Sequence, residues 1–337
     1  MAALALPAAA KRNKLNPAAV ALFKKAIAAS DLKAKGAQGF RLQANVRIFR
    51  PHNQQLNGMV VEFWTPERKW RDETFFHDYQ LVQVSDGKHV WVKNTLNYVP
   101  YEINELWSAL AFPSDLRDWL EPDKWSRKPE EIDLSKPKGE KKGAEACVNA
   151  KRPRWKEKDV VCFDRATGRV VRKKNSEHTY QYTDYVVFGR KSFPRTLRVF
   201  EGDNKEIVEI HITRIEPFTT PPPSTFLPVK GSQEEPDVDA CQTVKRAKLV
   251  TKVQPGYPSA AKRRRIEGTV VLYADVGTDG VPRGLVPLKS PSPLLTNAAL
   301  QAVMQWRYRP TACEISGSSQ PIPVTTLITV IFTLGGP

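Results

Sequence analysis

The chain has 337 residues, a length that accommodates two or three domains. Its 52 Lys and Arg against 36 Asp and Glu give a net charge of +16, and 41% hydrophobic with 26% charged residues argues against wholesale disorder. No apolar run approaches the ~18 residues of a membrane-spanning helix, so no helical span is expected.

Residues 1–16 read as a leader. MAALALPAAA is apolar and ends in small residues, which fits either the tail of a signal peptide with an A-x-A-like site or a plain disordered leader. Residues 17–35 then predict a helix: Asn16 is a cap, Pro17 suits the first turn, and Val20, Phe23, Ile27 and Leu32 form an apolar stripe. From Phe40 the period changes to two, and Phe40, Leu42, Ala44, Val46 and Ile48 alternate with polar residues as in a half-buried strand. Further strands are expected at 58–65, 77–84 and 88–93, the last two joined by Asp86-Gly87, with a helix over 102–111 stopped by Pro113.

Residues 121–158 carry 20 charges in 38 positions, which predicts a solvated, charged insertion. Strands resume at 159–164, with Thr167-Gly168 as a turn, and continue at 179–188, 195–200 and 206–214. Six prolines within 216–240 predict an extended linker, so the boundaries fall at 17–215, 216–244 and 245–337.

The last segment holds 12 Lys/Arg and 4 Asp/Glu. A short helix over 259–265 precedes a strand in which Val270, Leu272, Ala274 and Val276 share one face. Asp279-Gly280 turns the chain into a strand over 281–288. Ser292 then caps a helix that begins at Pro293 and buries Leu295, Ala299, Ala302, Val303 and Trp306. A final strand is expected over 322–334, with Val324, Thr326, Ile328, Val330, Phe332 and Leu334 on one face. The fold class is α+β: a curved antiparallel sheet with helices, then a small three-stranded antiparallel sheet with two helices.

Residues 245–337 resemble the C-terminal domain of the TonB family. The resemblance rests on Tyr257-Pro258, on Ile266 to Val270 including Gly268, on the Asp279-Gly280 hairpin, on Trp306 to Pro310 including Tyr308, and on the closing strand. It implies binding to outer-membrane TonB-dependent transporters, whose box peptide pairs with the strand Val324, Thr326, Ile328, Val330 and Phe332. An unpaired sheet edge of that kind accepts a partner strand; the competing readings are that it is covered internally or pairs with a second copy of itself in a homodimer. The family's energy transducers carry a membrane helix and a long proline-rich spacer, so partner binding is a firmer expectation here than coupling to the proton-motive force.

Residues 17–215 resemble the LolA/LolB type of periplasmic lipoprotein carrier, on Gly58 to Arg68, Phe163-Asp164, Thr167-Gly168, Tyr182 to Tyr185 and Phe193 to Arg195. The resemblance implies an apolar groove for acyl chains of a lipid or lipoprotein, with Phe40, Leu42, Val46, Ile48, Phe63, Tyr180 and Tyr182 as candidates. The same residues would also serve as ordinary core. A carrier that uses the TonB-like module for docking is the competing reading.

No catalytic, cofactor or metal motif stands out, so a non-catalytic protein without a cofactor is expected. The histidines (52, 77, 89, 178, 211) lack metal-ligand spacing and read as surface or strand-end residues. Runs such as 68–71 and 262–265 read as solvated faces rather than nucleic-acid contacts. Cys147 with Cys162 and Cys241 with Cys313 are candidate disulfides among three possible pairings, consistent with a periplasmic, oxidising location.

Overall fold

The computed structural model describes residues 16–50, 53–112, 116–120, 133–135, 143–151, 158–202, 204–219, 221–235 and 241–334. Residues 1–15 of the leader, His52 and much of the charged insertion lie outside them. The chain divides into two compact units, the first formed by Met1–Met59 and Glu105–Thr219, the second by Val60–Asn104 and Thr220–Pro337. Both are built mostly of antiparallel sheet with few helices.

In the first unit, the helix Pro17–Ser30 starts where its signals predict, because Asn16 accepts hydrogen bonds from the Ala18 and Ala19 amides. It ends at Ser30 rather than Lys35: Asp31 turns extended, and its carboxylate accepts from the Lys33 amide at 2.8 Å. The buried stripe is Ala19, Phe23, Ala26 and Ser30, rotated from the expected one, and Phe23 lies 5.4 Å from the Phe163 ring.

The sheet of this unit starts from Phe40–Arg50, whose five expected inward residues are all buried. Lys205–Pro217, Lys191–Glu201, His178–Phe188, Val170–Lys174, Asp159–Asp164, Glu145–Lys151 and Asp133–Ser135 follow as successive antiparallel neighbours. Val170–Lys174, Glu145–Lys151 and Asp133–Ser135 are strands the charge pattern conceals. In Glu145–Lys151, buried Ala146, Val148 and Ala150 supply an apolar face too short to stand out among the charges. Cys147 pairs in register with Cys162 and is disulfide-bonded to it.

In the second unit, the end of Gln54–Trp64 is followed across the sheet by Trp70–Phe76, Tyr79–Ser85, Val90–Asn94 and Gln233–Glu235. The run 68–71 is divided by this arrangement. Arg68 occupies a turn with φ 62°, while Arg71 sits in a strand, pairs with Glu73 at 2.6 Å and donates to the Thr225 carbonyl. The proline-rich stretch is not simply extended either. Pro223–Phe226 forms a 3-10 turn that buries Phe226, and Gln233–Glu235 pairs antiparallel with Val90–Asn94.

The rest of this unit contains a sheet ordered Pro282–Lys289, Gly268–Val276, Val324–Phe332, with the helices Ser259–Arg263 and Pro293–Val303 contributing to the core on one side. The closing strand is shorter than expected. Ile322 belongs to a separate strand, Ser318–Ile322, and Pro323, which has no N–H to give a ladder, separates the two. Ser318–Ile322 and Thr243–Lys245 flank Thr311–Ile315 in a second small sheet, joined also by the Cys241–Cys313 disulfide.

The Asp279-Gly280 turn is tied to this framework. Gly280 has φ +74° and its carbonyl accepts from the Tyr308 amide, and a Cβ there would stand 1.8 Å from the Tyr308 carbonyl oxygen. Gly280→Ala is expected to destabilise by roughly 1–3 kcal/mol, because the clash is with backbone and the φ is strained. Urea unfolding measures it, and a variant as stable as the parent would refute the contact.

Candidate functional site

The site is built outward from Gly268–Val276. Val270, Leu272 and Ala274 are fully buried in one cluster with Leu295, Ala299, Val303 and Trp306, and Val276 is buried too, in the alternation the sequence shows. Ser292 caps the packing helix by accepting from the Leu294 amide at 3.2 Å. Tyr257 donates its hydroxyl to the Ile266 carbonyl at 2.6 Å and meets the Phe332 ring edge-on at 5.6 Å. Trp306 donates Nε1–H to the Val253 carbonyl at 2.8 Å. Pro258 stands at the N-cap of the short helix, Gly268 brings the chain against the Pro291 ring, Tyr308 packs on the core, and Pro310 is half-buried. Tyr257, Trp306 and Tyr308 therefore anchor the sheet's core.

Val324–Phe332 pairs with the central strand in one continuous antiparallel register, from Gly268 opposite Phe332 to Val276 opposite Val324. Ile328, Val330 and Phe332 are buried, and Val324 and Thr326 half-buried, on the inward face. Thr325, Leu327, Thr329 and Ile331 point the other way, with Leu327 48% and Ile331 67% exposed. Among the described residues no strand lies on the outer side of Val324–Phe332. About 30 Å of backbone donors and acceptors is thus available to an extended chain, beside two exposed aliphatic side chains four residues apart on one face.

Part of that outward sheet face, around Tyr273 and Asp275, is covered within the same unit. Tyr273 meets Tyr101 at 4.8 Å and its hydroxyl accepts from Asn104, while the Val99 amide donates to Asp275 at 3.2 Å. Burial raises the Asp275 carboxyl above the usual carboxylate range, and burial together with Asp275 does the same to Glu235.

The groove candidates have a different setting. In the first unit Phe40, Leu42, Val46, Ile48, Tyr180 and Tyr182 are all buried, and Phe112 stacks on Tyr182 at 4.5 Å. Phe63, in the second unit, is half-buried.

One buried polar cluster was not legible in the sequence. His178 stands at a strand end, as expected, but is buried with its Nδ1 3.6 Å from Glu105, which accepts a hydrogen bond from Tyr180 at 2.6 Å. Burial lowers the His178 pKa to about 4 and raises that of Glu105 to about 7, against the Tyr180 hydrogen bond. The short approach therefore joins a neutral imidazole to a carboxyl group that resists ionisation, rather than an ion pair. A cleft in the same unit is lined by Asn45, Val46, Asn57, Gly58 and His211 together with Arg47 and Glu209, which pair at 2.6 Å. Among the described residues, Glu145, Cys147 and Cys162 approach as metal ligands could, but the disulfide takes both thiols.

Residues 253–334 match the family described as Gram-negative bacterial TonB protein C-terminal. The solution structure of the Pseudomonas aeruginosa TonB C-terminal domain is similar at 25% identity over 27% of this chain and 89% of that one, with a TM-score of 0.23. A putative outer membrane lipoprotein-sorting protein domain from Vibrio parahaemolyticus is similar at 12% identity over 62% of this chain and 97% of that one, TM-score 0.39. A LolA superfamily protein from Nitrosomonas europaea gives 9%, 62%, 97% and 0.38 in the same measures. The family match falls on the segment whose motifs resemble the TonB C-terminal domain. No curated protein matches the chain in sequence.

Proposed function

We propose that this is a non-catalytic protein of the cell envelope, located in the periplasm, which binds outer-membrane TonB-dependent transporters by adding a transporter peptide as a strand along Val324–Phe332. The observation that supports it is the one-sided pairing of that strand, at the edge of a domain matching the TonB C-terminal family. A peptide there gains backbone hydrogen bonds worth about 0.5–1.5 kcal/mol each, and Leu327 and Ile331 offer contacts four residues apart on one face. Such binding needs no membrane span in the chain itself, and no helix among the described residues is long and apolar enough to cross a membrane. The carrier reading requires an open apolar face, and the burial of Phe40, Leu42, Tyr180 and Tyr182 gives it less support.

Hydrogen exchange of the disulfide-intact chain tests the proposal, with and without peptides from the periplasmic ends of outer-membrane transporters. Amides of Val324–Phe332 are expected to slow on peptide addition, while those of Phe40–Arg50 stay unchanged. Unchanged exchange along Val324–Phe332 at saturating peptide would sink the strand-addition reading.

A further inference from the structure

Lys248–Thr251 and Arg307–Arg309 form a two-stranded ribbon that no local periodicity announces. Its register sets Lys248 directly opposite Arg309 and Leu249 opposite Tyr308, with a bulge at Val250. Leu249 and Tyr308 pack on the core. Lys248, Arg307 and Arg309 are exposed around Val250, which is 65% exposed. Lys252 holds its ammonium 5.7 Å from the Trp306 ring, and Arg307 donates to the carbonyl of Met304, itself 53% exposed.

Two features make this surface unusual. Like charges directly opposite in an antiparallel pair repel, and among the described residues none of these four cations is in an ion pair, whereas neighbouring Lys245 pairs with Glu314. From Gln242 to Ile266 the sequence contains no Asp or Glu at all. Exposed aliphatic groups stand among the charges, and among the described residues no exposed aromatic ring beside them offers a stacking platform for bases. Phosphates at the rim of an apolar layer satisfy both features together: the cations meet headgroups while Val250 and Met304 reach the acyl boundary.

We infer that the ribbon face of Lys248, Val250, Lys252, Met304, Arg307 and Arg309 docks the protein onto a bilayer surface rich in anionic phospholipid. It is distinct from the edge Val324–Phe332, so a protein that failed to bind transporter peptides could still dock, and the reverse.

Co-sedimentation of the full, disulfide-intact chain with vesicles tests this, comparing pure phosphatidylcholine with a mixture containing phosphatidylglycerol. Association is expected only with the anionic vesicles, and it weakens as salt rises. Lys248→Glu turns the repulsive pair with Arg309 into an attractive one, so the ribbon is kept while vesicle partitioning falls by about fivefold or more. Lys88→Glu makes the same change in net charge at an exposed turn and is expected to leave partitioning nearly unchanged. Replacing Val250 and Met304 by Ser is expected to weaken association without any change in charge. Three results would overturn the inference: equal binding to neutral vesicles, equal losses for Lys88→Glu and Lys248→Glu, or displacement from vesicles by duplex DNA at equal phosphate concentration.

Discussion

Trp306→Ala is expected to lower unfolding stability by about 3–5 kcal/mol, the range for removing a buried aromatic side chain. Trp306 is 4% exposed and packs in the cluster that contains Leu272, Leu295 and Val303. Truncation opens a cavity beneath the central strand and strips the Val253 carbonyl of its indole donor. Trp306→Phe separates the two effects, since it keeps most of the ring and loses only the hydrogen bond, for about 1 kcal/mol plus a packing cost. Denaturant unfolding of the whole chain, followed by near-ultraviolet dichroism, measures both variants. Trp306→Ala within 1 kcal/mol of the parent would mean that the indole is not the keystone its geometry indicates. The loss also disturbs the strand paired with Val324–Phe332, so peptide uptake along that edge should weaken in parallel.

A second large effect is expected at Glu105 and His178, as a pH dependence hidden in the parent. The folded Glu105 carboxyl titrates near 7 against an ordinary value of 4.5, so between those values the folded state holds the extra proton. Its contribution to stability is present below about 4.5 and is lost as pH rises through 7. His178 runs in the opposite sense. Its folded pKa of about 4 lies below the ordinary 6.5, so its contribution is present above 6.5 and lost as pH falls through 4. Over the shared window, about pH 4.5 to 6.5, the two slopes oppose each other, each up to about 1.4 kcal/mol per pH unit. Tyr180, Glu177 and Lys173 complete the charged and titratable surroundings.

Glu105→Gln removes one slope, and stability should then climb with pH between 4.5 and 6.5. His178→Gln removes the other, and stability should fall over the same window. Unfolding curves collected at half-unit pH steps read both directly. Parallel pH profiles for the parent and both variants would show that the cluster does not titrate as its burial requires.

Elements with a strong local signal are legible without reference to any partner. Period-two alternation defines the buried faces of Phe40–Arg50 and Gly268–Val276, because each alternate side chain must leave water for the same core. Ser292 with Pro293, and Asn16 with Pro17, place two helix starts, since caps and first-turn prolines act on the nearest amides only. The inward residues of Val324–Phe332 were legible for the same reason.

Other elements form through partners that their own residues do not reveal. Glu145–Lys151 and Arg307–Arg309 are short and charged, and each becomes a strand by pairing its backbone with a neighbour that local periodicity does not reveal. Pro323 separates Val324–Phe332 from Ser318–Ile322, which folds back on Thr311–Ile315 instead of extending the edge. Burial of His178 against Glu105, and stacking of Phe112 on Tyr182, join residues far apart in the chain. A sequence window carries the preferences of its own backbone and side chains. The partner that satisfies a short strand, or neutralises a carboxyl group, is chosen by the packing of the whole unit.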